Sequence, residues 1–179
     1  MRKRALTIVV LATVLGLLVA STATAGTIRT SFIGTSTFVG DGWAQRYWEP
    51  GHNIAFWRDA PFWHLLATDD PRANGIMCTN HNGNYRPSSD DPWYGVQGQM
   101  WGTTRLETDG DMECTNSSDY WEGTFVGDRF PNGNEYLRFN LKGYGNYAGL
   151  HLRMEEWSDP DNFDDPFFVA GEILDPGGH

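Results

Sequence analysis

From Glu135 to Gly143 apolar and polar positions alternate without a break. Leu137, Phe139 and Leu141 take one parity; Tyr136, Arg138, Asn140 and Lys142 take the other. Side chains along a strand point to opposite faces in turn, so this stretch reads as a strand with one apolar and one charged face. The following stretch repeats the pattern, with Leu150, Leu152 and Met154 set against His151, Arg153 and Glu155. Residues 120–128, 135–142 and 147–157 together read as three antiparallel strands. The segments Pro131-Asn132-Gly133-Asn134 and Lys142-Gly143-Tyr144-Gly145-Asn146 join them, with glycine and asparagine where tight turns need positive φ.

Upstream the rhythm is similar but less regular. Residues 27–39, 43–48, 54–57, 62–68, 76–81 and 94–107 read as strands, and 167–174 closes the series. Asp59-Ala60-Pro61 and Asn82-Gly83 read as breaks, and 84–92, 108–119 and 158–166 as polar connections. No helical period survives beyond residue 25. A sheet with one apolar face and no helix to cover it must close on itself or pack on a second sheet. The expected fold class is therefore all-β, a single closed antiparallel barrel of about eight strands, with a β-sandwich as the alternative. Glycines recur inside the strands, at 95, 98, 102, 123, 127, 149 and 171. Sharp bending and close packing beneath large rings account for them.

Trp121-Glu122-Gly123-Thr124, the Pro-Asn-Gly hairpin and the run from Lys142 to Leu150 (KGYGNYAGL) resemble secreted bacterial proteins of uncharacterised function. Those in turn are similar to allene oxide cyclase and dirigent-type barrels of the calycin-like group. The resemblance covers residues 94–174 and implies a closed antiparallel barrel with a central cavity. It carries no catalytic position onto this chain, and the tryptophan-rich segment 42–63 has no counterpart in it.

The first 25 residues change the picture in one respect. Arg2, Lys3 and Arg4 precede an apolar run over 6–19, and Ala23-Thr24-Ala25 offers the small-residue pattern of a cleavage site. This reads as a signal peptide, with 26–174 as the barrel domain and 175–179 as a tail. The leader holds three of the 13 basic residues and none of the 23 acidic ones, so the mature chain carries a formal −13. That charge disfavours nucleic acid and anionic membrane surfaces as partners, and no membrane insertion is expected after cleavage. In an oxidising compartment Cys78 and Cys114, the two cysteines, read as a disulfide. The mature chain holds all 25 aromatic residues against 17 Val, Ile and Leu, so rings must supply most of the buried surface.

Candidate chemistry is sparse. Gly143-Tyr-Gly-Asn-Tyr-Ala-Gly149 is one residue too long for a dinucleotide fingerprint and leads into a strand. No nucleophile elbow, zinc spacing or cofactor motif occurs. Asp159, Asp161, Asp164 and Asp165 read as a solvated connection, with calcium as the metal alternative. The first functional reading is a secreted, non-catalytic barrel holding a small apolar or glycan ligand. Trp101, Trp121, Phe125, Phe139 and Tyr147 are its expected cavity or mouth aromatics. A second is a barrel enzyme of cyclase or isomerase type using Glu122, Arg138 or His151. A third is an interaction or inhibitor protein working through residues 82–92 and 158–166.

Overall fold

The computed structural model describes residues 26–42, 45–49, 54–87, 95–109, 114–158 and 166–177. Residues 1–25, the last two residues of the tail and the four aspartates considered for calcium lie outside them. The described chain forms strands β1 (Ile28–Asp41), β2 (Gln45–Glu49), β3 (Ile54–Thr68), β4 (Gly75–Pro87), β5 (Gly95–Glu107), β6 (Tyr120–Arg129), β7 (Glu135–Tyr144), β8 (His151–Trp157) and β9 (Phe167–Asp175). They make one antiparallel sheet in the order β1-β9-β8-β7-β6-β5-β4-β3-β2, and a further β1–β3 pairing closes it.

The two halves of β1 have different partners. Ile28–Ser36 lies on Asp175–Phe167 of β9, whereas Gly34–Asp41 lies on Thr68–Phe62 of β3. β2 continues that second pairing, with Gln45 opposite Arg58 and Glu49 opposite Ile54. β1 and β2 thus run along β3 as one interrupted strand, and eight walls close an up-and-down barrel. Of the two architectures expected, the barrel is the one formed.

Two of the expected breaks are not breaks. β3 runs through residues 59–61 with a bulge between Trp57 and Ala60. Asp59 takes a left-handed φ of 50° there, and its N–H reaches the Asn82 side-chain oxygen at 3.3 Å. Aspartate is among the few residues that adopt this conformation readily. Pro61 has no N–H to give, and it falls opposite the interruption between β1 and β2, where its carbonyl accepts from Gly42 N–H at 3.0 Å. β4 likewise continues through Asn82-Gly83 to Pro87, because β5 pairs with it along its whole length. In the opposite sense, residues 145–147 form a 3-10 turn and β8 starts only at His151, so Tyr147 sits in a turn.

One end of the barrel is filled. Phe32, Leu66, Leu106, Trp121, Leu141, Leu152 and Ile173 pack there, all essentially without exposure. The connection after β3 folds beneath them as a plug. Its 3-10 turn Pro71–Ala73 buries Ala73, and the Trp121 indole N–H donates to the Arg72 carbonyl at 2.7 Å. Tyr147 stacks on Trp121 with ring centroids 4.9 Å apart. Asp70 caps the turn, accepting from the Arg72 backbone N–H at 3.0 Å and from its guanidinium at 2.6 Å. These bonds to Arg72 hold the Asp70 carboxyl below the ordinary carboxylate range.

Glycine serves close approach as expected. Gly102 is directly opposite Phe125, and a Cβ there would come within 2.7 Å of the Phe125 ring and collide with the Asn80 carbonyl. Gly171 leaves similar room for Phe32, whose ring would collide with an added Cβ. The sequence therefore places an inward ring where the neighbouring strand has no side chain.

Cys78 on β4 and Cys114 are joined by a disulfide that ties the β5–β6 connection to the barrel wall, with Cα atoms 6.2 Å apart and a sequence separation of 36. Such a bridge fits an oxidising compartment. Among the described residues no helix is long and apolar enough to cross a membrane. Replacing both cysteines by serine is expected to lower the unfolding free energy by about 4 kcal/mol, from the loop-closure entropy of the unfolded chain, measured by urea denaturation. Gly102→Ala is expected to cost about 1–3 kcal/mol by the same measurement, since the added Cβ collides with the backbone carbonyl of Asn80 on the paired strand.

Candidate ligand-binding site

The filled end leaves the other half of the barrel open. Inward positions there enclose a cavity of about 860 Å³, within the range of small-molecule sites. Its wall is a continuous run of rings. Phe38 meets Phe62 at 6.2 Å, Phe62 stacks on Trp57 at 6.1 Å, and Trp57 meets Tyr85 edge-on at 5.6 Å. His81 adjoins Tyr85 at 6.3 Å and Phe125 at 5.8 Å, and Phe125 lies 5.4 Å from Phe139. Met77 and Met100 line the cavity beneath these rings. Methionine is adaptable and polarizable, so that surface can fit more than one apolar shape.

Polar groups enter where the apolar parity of each strand is carried on toward the mouth. Trp121 and Phe125 of β6 are followed in phase by Arg129; Leu137 and Phe139 of β7 are preceded in phase by Glu135; Leu152 and Met154 of β8 are followed by Glu156. Glu135 lies 3.7 Å from the Arg129 guanidinium. Glu156 is fully buried, with a carboxylate oxygen 3.6 Å from His64 Nδ1. The same nitrogen is 3.0 Å from the Ser36 hydroxyl. His81 Nε2 is 2.7 Å from the Tyr85 hydroxyl.

Burial shifts the titration of two of these groups in opposite directions. Desolvation, with help from the nearby Arg129 and His64 charges, pushes His81 down to about 4, so its imidazole is neutral at physiological pH. Burial pushes the Glu135 carboxyl up, and Arg129 opposes that shift. The Glu135 side chain keeps 23% of its surface accessible and is one of the cavity-lining groups.

Phe125 and Phe139, expected as cavity aromatics, line the cavity. Trp121 and Tyr147 do not reach it; they form the stacked pair at the filled end. Trp101 is on the outer wall, 37% exposed, with the Arg58 guanidinium 5.4 Å from its ring centre. The alternation Met100 in, Trp101 out decides this, because Met100 is buried and the two are adjacent. Glu122, Arg138 and His151 are also on outward parity, Glu122 opposite Lys142 and Arg138 opposite Glu155. None of the three lines the cavity. Of the two loops considered for partner contacts, residues 82–87 are strand, and the rest of the first and 159–165 of the second lie outside the described residues.

Trp57, His64, His81, Arg129, Glu135 and Glu156 are cavity residues that the sequence reading did not select. Among the described residues no cluster of three or more His, Cys, Asp or Glu is disposed to hold a metal ion. No family model and no curated protein matches the sequence.

The state of His81 generates a pH test. Its folded value of about 4 lies below its ordinary 6.5, so its contribution to stability is present above pH 6.5 and lost as pH falls toward 4. Glu135 has the opposite sign: its raised value favours the fold at low pH, and that contribution is lost as pH rises through it. In His81→Gln the stability lost between pH 7 and pH 4.5 is expected to shrink by about 2 kcal/mol, read from urea unfolding at both pH values.

Proposed function

We propose that this protein is a secreted, non-catalytic barrel that takes a small, mainly apolar organic molecule into its cavity. The observation that carries this reading is the cavity of about 860 Å³ faced by an unbroken run of rings from Phe38 to Phe139. A water-filled apolar volume of that size gains free energy when an apolar body replaces the water, at roughly 25 cal/mol per Å² buried. The rings are enclosed by the barrel instead of being spread on an open face, which favours a compact ring or chain over a glycan. Export is supported by the leader sequence and the Cys78–Cys114 bridge. The similarity to allene oxide cyclase and dirigent-type barrels is a further, sequence-level support for a cavity ligand.

An acid–base enzyme of isomerase type is the second reading, favoured by one arrangement. His64 Nδ1 faces both the Ser36 hydroxyl at 3.0 Å and the Glu156 carboxylate at 3.6 Å, so an Nδ1–H held there would leave Nε2 as the basic nitrogen of the imidazole.

The uncharged dye N-phenyl-1-naphthylamine tests the first reading. Its fluorescence is expected to rise on binding, with a micromolar Kd. Thr79→Phe, which projects a ring into the cavity, is expected to weaken binding at least ten-fold, while Trp101→Ala on the outer wall leaves it within two-fold. No enhancement, or an enhancement insensitive to Thr79→Phe, contradicts cavity binding.

A further inference from the structure

We infer that two copies of this chain associate reversibly through the outer wall at the barrel seam, one apolar patch pairing with itself about a two-fold axis. The patch is built from outward positions of β8, β9, β1 and β3, and nothing in this contact touches the cavity.

Strand register sets the patch. One row crosses four strands: Trp157 of β8 is opposite Phe168 of β9, Phe168 is opposite Thr35 of β1, and Thr35 is opposite Ala67 of β3. All four have the outward parity, because their neighbours Glu156, Val169, Ser36 and Leu66 are buried. Trp157 and Phe168 stack with ring centroids 6.1 Å apart and stand up as a ridge. Thr35 and Ala67, with short side chains, leave a trough beside it. Ile33 and Leu65 bound the trough in the rows on either side, Ile33 opposite Ala170 and Leu65 opposite Thr37. Ile33 is 67% exposed, Leu65 44% and Phe168 43%. Ridge and trough each span two strands. A second copy turned about a two-fold axis therefore lays its ridge in the first copy's trough and offers its own trough in return.

Charge and area point to the same occupant. None of these six side chains is charged, whereas the whole chain carries a formal −10. A partner recognised by its charge would need ionic groups that the patch lacks. A second copy is repelled by the carboxylates elsewhere on the surface and can approach through a face without them. Four strands about 4.8 Å apart and three rows about 6.6 Å apart make a patch of roughly 400 Å². Two such patches, with the relief of their side chains, bury about 1,000 Å², the lower bound of a specific interface, so the dimer is weak. Association releases water from apolar surface, and salt strengthens it by screening the repulsion between acidic copies.

Sedimentation velocity of the native protein, from about 1 to about 500 µM, tests it. A monomer–dimer equilibrium with a Kd of about 10–100 µM is expected at about 0.15 M salt, tightening about three-fold at about 0.5 M. Phe168→Glu and Ile33→Glu are each expected to weaken it at least ten-fold, and the second stands in if the first does not fold. Val126→Glu, on an exposed position of β6 four walls away from β1, is expected to leave it within two-fold. A protein that stays monomeric throughout overturns the inference. So does a dimer that ignores both patch variants, or one that yields equally to Val126→Glu. A monomer that co-sediments with phosphatidylcholine vesicles, and loses this in Phe168→Glu, also overturns it and gives the patch to a lipid surface.

Discussion

The structure depends on the sharing of β1 between two neighbours. Its first half pairs with β9 and its second half with β3, so the last strand meets the first and no sheet edge is left among the eight walls. An open sheet of this sequence would present unpaired backbone groups at both edges and an unshielded ring-rich face. Closure solves both problems at once. Pro61 is tolerated in β3 because it lies opposite the interruption between β1 and β2.

Once the sheet is closed, the shortage of aliphatic residues dictates how the interior is filled. A barrel of eight strands has room for side chains or one small ligand. Leucines and isoleucines are gathered at the end plugged by the Pro71–Ala73 turn, together with Trp121. Rings take the other half, and rings with glycines opposite them do not fill space as completely as interdigitated aliphatics. Gly102 beneath Phe125 and Gly171 beneath Phe32 fix where the rings lie. The cavity is what remains, and its polar groups are the ends of inward rows that run apolar from the plug upward.

That last point separates what was legible from what was not. The strands of residues 120–157 are clear because of their alternation, and a chain with two cysteines leaves little choice of pairing. The inward face of β5 was not clear. Glycines at 95, 98 and 102 blur its parity and hide that Met100 faces in and Trp101 out. Tyr147 is of opposite parity to Leu150, Leu152 and Met154, and the 3-10 turn Gly145–Tyr147 takes it out of the strand. Glu135, Glu156 and Arg129 were missed although the signal was present. Each sits on the apolar parity of its own strand, two or four residues beyond the last inward hydrophobic. A charged residue on the buried parity at a strand end marks a cavity mouth; only closure of the sheet brings the three together. His64 and His81 carry no such mark, since their strands are interrupted in sequence by Pro61 and Asn82-Gly83.

The most direct measurement is site-resolved amide hydrogen exchange on the native protein. A closed barrel protects the β1–β9 ladder, Ile28–Ser36 with Phe167–Asp175, about as strongly as the β6–β7 ladder in the middle of the sheet. Rapid exchange along β9 and the first half of β1, with β4 to β7 still protected, would show an open sheet and remove the enclosed cavity on which the functional reading stands.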